Sequence, residues 1–167
     1  MSNKLDWQGT LLAVQPRIRL MRSFDQRSHS YLGYVLRIEG TIGDEEGVFS
    51  VGIGQAAQAG HKFRAGDVIS GRAESVHDPM LEPCDFYKAS SFKVVDRSAE
   101  KIPSHPPWLG VPPELPVYRE RGHRRLDAKT FSARCVTCLW GCRMPVEMII
   151  DQWNPNQKKY RHETFCY

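Results

Sequence analysis

Six of the eleven prolines in this chain fall between Pro103 and Pro116. Proline fixes its own φ and offers no backbone N–H, so a stretch this dense cannot run through a helix interior or a central strand. It predicts a semi-rigid, extended connector over residues 97–118. Trp108 and Leu109 in its middle indicate a connector that packs along its own neighbour rather than standing off in solvent. The 167 residues are thereby divided into a first part, 1–96, and a last part, 119–167. The first is long enough for a core of its own.

That first part reads as short strands. Leu12, Val14, Pro16, Ile18 and Leu20 alternate with Gln15, Arg17 and Arg19, the period of two that marks a half-buried strand. A polar loop over 23–30 leads to a second run with Leu32, Tyr34, Leu36 and Ile38 inward, closed by Gly40 and the acidic turn 43–47. Phe49, Val51 and Ile53 define a third strand, and residues 55–59 predict one or two helical turns stopped by Gly60. A fourth strand follows the turn within Phe63–Gly71, and a fifth spans Tyr87–Val95. Three strands, a short helix and two more strands is the order of the OB-fold, a five-stranded Greek-key barrel. The run Phe63-Arg64-Ala65-Gly66-Asp67-Val68-Ile69-Ser70-Gly71 resembles the entry to the fourth strand in many OB-fold domains, and the resemblance covers residues 7–96. It implies a mainly β fold whose ligands meet the second and third strands and the loops after the first and fourth. An SH3-like small barrel is the structural alternative.

Four of the five cysteines crowd into the last part. Cys135, Cys138 and Cys142 are spaced C-x2-C-x3-C, and Cys166 follows after 23 intervening residues. A reducing compartment keeps thiols free, and the C-x2-C bite presents two thiolates to one ion, so the cluster points to metal rather than to disulfides. Val146–Trp153 and Lys159–Phe165 read as strands about a turn at 154–157, a hairpin that would return Cys166 to the first knuckle. This resembles a zinc ribbon, in which a second C-x2-C usually closes the site; here Cys166 stands alone. The resemblance implies a small metal-stapled β-hairpin module. Two completions stay open: Cys142 joins Cys135, Cys138 and Cys166, or His162 replaces it. Four thiolates suit zinc, and they suit a [4Fe–4S] cluster equally. The small core of the hairpin favours a structural zinc (Zn). Cys84 is isolated and reads as a packing thiol.

The net charge of +4 is unevenly spread. Residues 1–34 hold five basic and two acidic side chains, residues 40–100 six against ten, and residues 117–134 six against two. Basic blocks of this kind suit a polyanionic partner. Arg17, Arg19, Arg22 and Arg27 gather with Phe24, Tyr31 and His29 on the first strand and the loop after it, and Tyr87 and Lys88 border the same region in the barrel reading. Guanidiniums answer phosphates and aromatic faces stack on unpaired bases, so this composition suits single-stranded DNA or RNA. Arg124 and Arg125, in the second basic block, extend the track toward the cysteines.

No Gly-rich phosphate loop, nucleophile elbow, His-Glu-x-x-His or deaminase signature occurs. Glu147 and Asp151 would lie about 13 Å apart along a strand, too far to share a proton. The expectation is a non-catalytic protein. No apolar run approaches the ~20 residues of a membrane span and the first residues lack the apolar stretch of a secretory leader, so the expectation is a cytoplasmic protein. An iron–sulfur electron carrier or sensor is the second expectation, and a protein-interaction subunit of a larger complex the third.

Overall fold

The computed structural model describes residues 3–22, 27–99, 105–106 and 108–167. Phe24 lies outside them, and Arg27 is described by its backbone alone. The fold is mainly β. In chain order its elements are β1 (Leu5–Arg22), β2 (Arg27–Ile42), β3 (Glu45–Gly54), α1 (Gln55–His61), β4 (Val68–Ser75) and β5 (Phe86–Asp96). They are followed by α2 (Leu115–Arg121), β6 (Arg124–Leu126), α3 (Ala128–Thr130) with a π-helical turn at Phe131–Cys135, β7 (Gly141–Ile149) and β8 (Lys158–Cys166).

β1 pairs antiparallel with β2, β2 with β3, β4 with β5 and β4 with β1, while β3 meets β5 in parallel at Val51 and Phe86. Five strands therefore close a ring in the order β1-β2-β3-β5-β4. Inside it lie Trp7, Leu11, Leu36, Ile38, Val51, Phe63 and Ile69, each removal from water contributing about 1.5–3 kcal/mol.

The expected alternation holds for Val14, Pro16, Ile18 and Leu20, all buried. Leu12 departs from it because the β1–β2 register slips between Leu11 and Ala13, which leaves Leu12 half-buried while its two neighbours face inward. A second slip between Arg17 and Ile18 does the same to Leu32 on β2. Gly60 does not stop α1: the helix runs to His61, and Lys62, at φ 49°, supplies the left-handed cap. The carboxylate of Asp67, from the Gly-Asp turn, is fully buried. It accepts from the N–H of Arg64 (3.2 Å), the N–H of Ser98 (2.9 Å) and the Arg97 guanidinium (3.1 Å). That aspartate holds the turn into β4 against the end of β5.

β1 is longer than the ring requires. Its last residues, Leu20 to Arg22, pair in parallel with Val146 to Met148 of β7, and the sheet continues through β8 to β6. Cys142, Met144, Val146, Phe165 and Tyr167 join the same buried cluster as the ring. The proline-rich connector touches both parts of the chain: Tyr34 of the ring donates its hydroxyl to the Pro113 carbonyl at 2.7 Å, while the Trp108 carbonyl accepts from the Leu139 N–H, outside the ring, at 2.9 Å. Its last residues depart from the extended expectation and form α2, with Pro116 in the first turn, where its missing N–H costs nothing. No helix among the described residues is long and apolar enough to cross a membrane.

Candidate functional site

The pleat sends Gln15, Arg17 and Arg19 of β1, Val35 and Arg37 of β2, and Ser50 of β3 away from the core. Beside them β7 and β8 present Arg143, His162 and Thr164, and the turn after α3 presents Phe131. These residues, Arg17 and Arg19 excepted, line a cleft of about 550 Å³. Its acid, Asp85, is already held by the N–H and hydroxyl of Ser50, at 2.9 and 3.0 Å. The guanidinium of Arg37, half-buried in the wall, makes no hydrogen bond or ion pair among the described residues. The cleft is left with two guanidiniums and a shortage of anions.

Arg143 Nη2 lies 3.1 Å from His162 Nδ1. A guanidinium only donates, so Nδ1 accepts and the neutral ring carries its proton on Nε2. Burial, and then the Arg143 charge, lower the His162 pKa below its ordinary 6.5, against an opposing pull from the Pro79 carbonyl. The unfolded chain takes up this proton near 6.5, so the neutral ring contributes stability that is whole above that pH and lost as pH falls through the folded value. Replacing His162 by Gln is expected to flatten the fall in thermal midpoint below pH 6.5. Parallel pH curves for the two proteins would count against it.

The basic residues expected at the interface are largely engaged. Arg17 grips Glu82 with Nε (3.0 Å) and Nη2 (2.7 Å), and Arg19 reaches the Leu81 carbonyl (2.9 Å) and Glu82 (3.4 Å). Arg22 and Arg125, from the two basic blocks, meet on the buried carboxylate of Glu163 at 3.2 and 3.4 Å, together with Arg161. Tyr31 lies under the Arg119 guanidinium, 4.7 Å from ring centroid to charge. Lys88, in a left-handed conformation, sits over Tyr87 and pairs with Glu74 at 3.3 Å, on the β4–β5 side. Arg124 is exposed and pairs across strands with Cys166.

The cysteines divide. Gly141 lies opposite Cys166, and Cys142 opposite Phe165. Opposed residues share a face and successive ones alternate. Cys142 and Phe165 therefore point into the core, where Cys142 is fully buried, its thiol donating to the Pro16 carbonyl at 3.3 Å. Burial pushes that thiol far up. Gly141 and Cys166 occupy the other face. There the Cys135 carbonyl crowds Gly141 so closely that a Cβ would stand 2.3 Å from it, which only glycine permits.

The knuckle is tied down locally, with Cys138 N–H on the Cys135 carbonyl (3.1 Å) and Gly141 N–H on the Cys138 carbonyl (2.9 Å). Gln15 of β1 donates to both knuckle carbonyls, at 2.7 and 2.8 Å. Burial raises the thiols of Cys135 and Cys166; Cys166 and Cys138 then raise Cys135 further, as Cys138 does Cys166, while nearby arginines lower both. These three thiols lie within one another's electrostatic reach. Among the described residues, no group of three or more His, Cys, Asp or Glu side chains is arranged to hold a metal ion as it stands.

Cys84 packs over Gly52, and burial pushes its thiol to about 12, although Arg17 pulls the other way. Arg37 and Arg143 are the cleft residues that sequence reasoning missed. The alternation of β2 places Arg37 outward, but no second arginine stands close to it on its strand, whereas β1 carries Arg17, Arg19 and Arg22 close together. In comparisons with known proteins, no family model matches the chain, and neither a curated protein nor a solved structure matches it.

Proposed function

We propose that this protein is a cytoplasmic, non-catalytic binder of single-stranded nucleic acid, built on an OB-type barrel and gripping its ligand in the cleft of Arg37 and Arg143. The observation that carries the reading is the strand order of the ring, β1-β2-β3-β5-β4 with α1 between β3 and β4. That order agrees with the OB-fold reading, and the cleft takes Val35 and Arg37 from β2 and Ser50 from β3, the second and third strands, on which OB-folds meet oligonucleotides. The chemistry of the cleft agrees. The half-buried Arg37 and the exposed Arg143 answer phosphodiester oxygens, and Phe131 lends an aromatic border.

Fluorescence anisotropy with labelled twelve-residue oligothymidylate and oligouridylate, at 50 and 200 mM salt, tests the reading. Binding at 50 mM salt is expected to weaken steeply at 200 mM, with a logarithmic slope of about 0.7 for each phosphate held. Replacing Arg37 and Arg143 together by Gln is expected to lower affinity at least tenfold and to reduce that slope by about 1.4, as loss of two phosphate contacts requires. No binding of either oligonucleotide by the wild-type protein at 50 mM salt would overturn it.

A further inference from the structure

We propose that Cys135, Cys138 and Cys166, without Cys142, hold one soft divalent cation of the zinc class, and that its binding fixes the wall of the Arg37–Arg143 cleft. The inference stands independently of what the cleft binds. It begins from the pleat. β7 starts at Gly141, so Cys142 is a strand residue committed to the core, on the opposite face of the hairpin from Cys166. For Cys142 to ligate an ion held by the other three, its side chain would have to pass through the sheet. Its thiol is instead occupied with the Pro16 carbonyl.

The other three gather at the end of the hairpin: Cys135 and Cys166 are half-buried there, and Cys138, itself buried, lies within electrostatic reach of both. The C-x2-C turn brings Cys135 and Cys138 into one bite, and the close approach of the Cys135 carbonyl to Gly141 sets that bite over the strand pair that ends in Cys166. Cys166 makes only a long contact, 3.7 Å, from its thiol to the Tyr167 carbonyl, so its rotation toward the knuckle gives up little. Thiolates are the ligands a borderline-soft ion of this class selects, and binding releases the protons that the metal-free thiols carry.

The same knuckle borders the cleft. Phe131, Ser132 and Val136, in the turn that carries Cys135, line it, and so does Gln15, whose amide clamps the Cys135 and Cys138 carbonyls to β1. An ion at the three thiolates therefore fastens the outer side of that turn while Gln15 fastens its inner side. Residues 131–138 are held from both sides when the metal is bound.

Protein purified without oxygen, then loaded with zinc or with cobalt(II), supplies the test. Metal content by mass spectrometry and the thiolate-to-cobalt charge-transfer band are expected at one ion per chain in the wild type and in Cys142→Ser, and to be lost in Cys135→Ser, Cys138→Ser and Cys166→Ser. Alkylation mapped by peptide mass supplies a second reading that needs no variant. Cys135, Cys138 and Cys166 are expected to be protected with metal and labelled after chelation, and Cys142 unlabelled in both. Amide hydrogen exchange over 131–138 is expected to slow at least tenfold on loading, and less in Gln15→Ala.

Metal retained at full stoichiometry by the Cys166 variant would overturn the ligand set, as would Cys142 becoming labelled only on chelation. So would iron with acid-labile sulfide as the bound group, or a wild-type protein that takes up neither zinc nor cobalt. Unchanged exchange over 131–138 on loading would overturn the link to the cleft wall.

Discussion

Replacing Glu163 by Ala is expected to cost about 3 kcal/mol of stability. The carboxylate is almost wholly buried on β8 and faces the guanidiniums of Arg22, Arg125 and Arg161. Removing one partner from a buried ion pair typically costs about 3–5 kcal/mol, because the remaining charge keeps its desolvation and loses its compensation. The lower end applies here. Arg125 and Arg161 are about half exposed and turn to water, whereas Arg22 is only 21% exposed and keeps its charge against the sheet. Urea unfolding measures the effect as a lower midpoint at unchanged slope. A loss below about 1 kcal/mol would class the cluster with ordinary surface pairs.

The second large effect is a gain. Replacing Glu82 by Gln is expected to tighten oligonucleotide binding about five- to tenfold at 50 mM salt and to steepen its salt dependence. The loop between β4 and β5 crosses the outward face of the ring, with Cys84 against Gly52 and Glu82 against the two arginines of β1. Arg17 gives Glu82 two parallel hydrogen bonds, the fork that a phosphate would otherwise receive. Glutamine keeps the shape and removes the charge, so Arg17 and Arg19 are left as uncompensated cations beside the cleft. Anisotropy and a thermal scan on the same sample separate affinity from folding. An unchanged affinity in a folded variant would place the ligand away from β1.

Much of the ring was legible because its strands are half-buried, and half-burial writes a period of two into the sequence. Phe49, Val51 and Ile53 are inward as that period requires. The slips at Leu12 and Leu32 were not legible, since a bulge is set by how two strands coil on each other and neither sequence records the other. The C-terminal hairpin was found, but its first strand begins five residues earlier than Val146. Gly-Cys-Arg-Met-Pro looks like loop by composition; it pairs along β8 because Met144 and Cys142 fill the core beside β1. That shift, too small to alter the architecture, decides which cysteines face one another. The arginines of β1 were correctly placed outward, and their acids were hidden by distance: Glu82 and Glu163 stand 65 and 141 positions from Arg17 and Arg22.

The order of the sheet also bears on how this molecule meets its own copies. Its five ring strands close on themselves, β3 and β5 meeting at the single pair Val51 and Phe86, and the extension that leaves the ring at β7 ends on β6, a strand of three residues. Unpaired backbone groups along a long, flat edge are what recruit a second chain into edge-to-edge aggregation. Here β6 covers only Thr164 to Cys166 of β8 and offers Arg124, Arg125 and Leu126, while the stretch of β8 it leaves uncovered, Lys158 to Glu163, carries Lys158, Lys159 and Arg161. A second copy approaching that edge meets like charge before it finds a backbone to pair with, so a chain rich in strand is guarded against self-association at the place where its sheet stops.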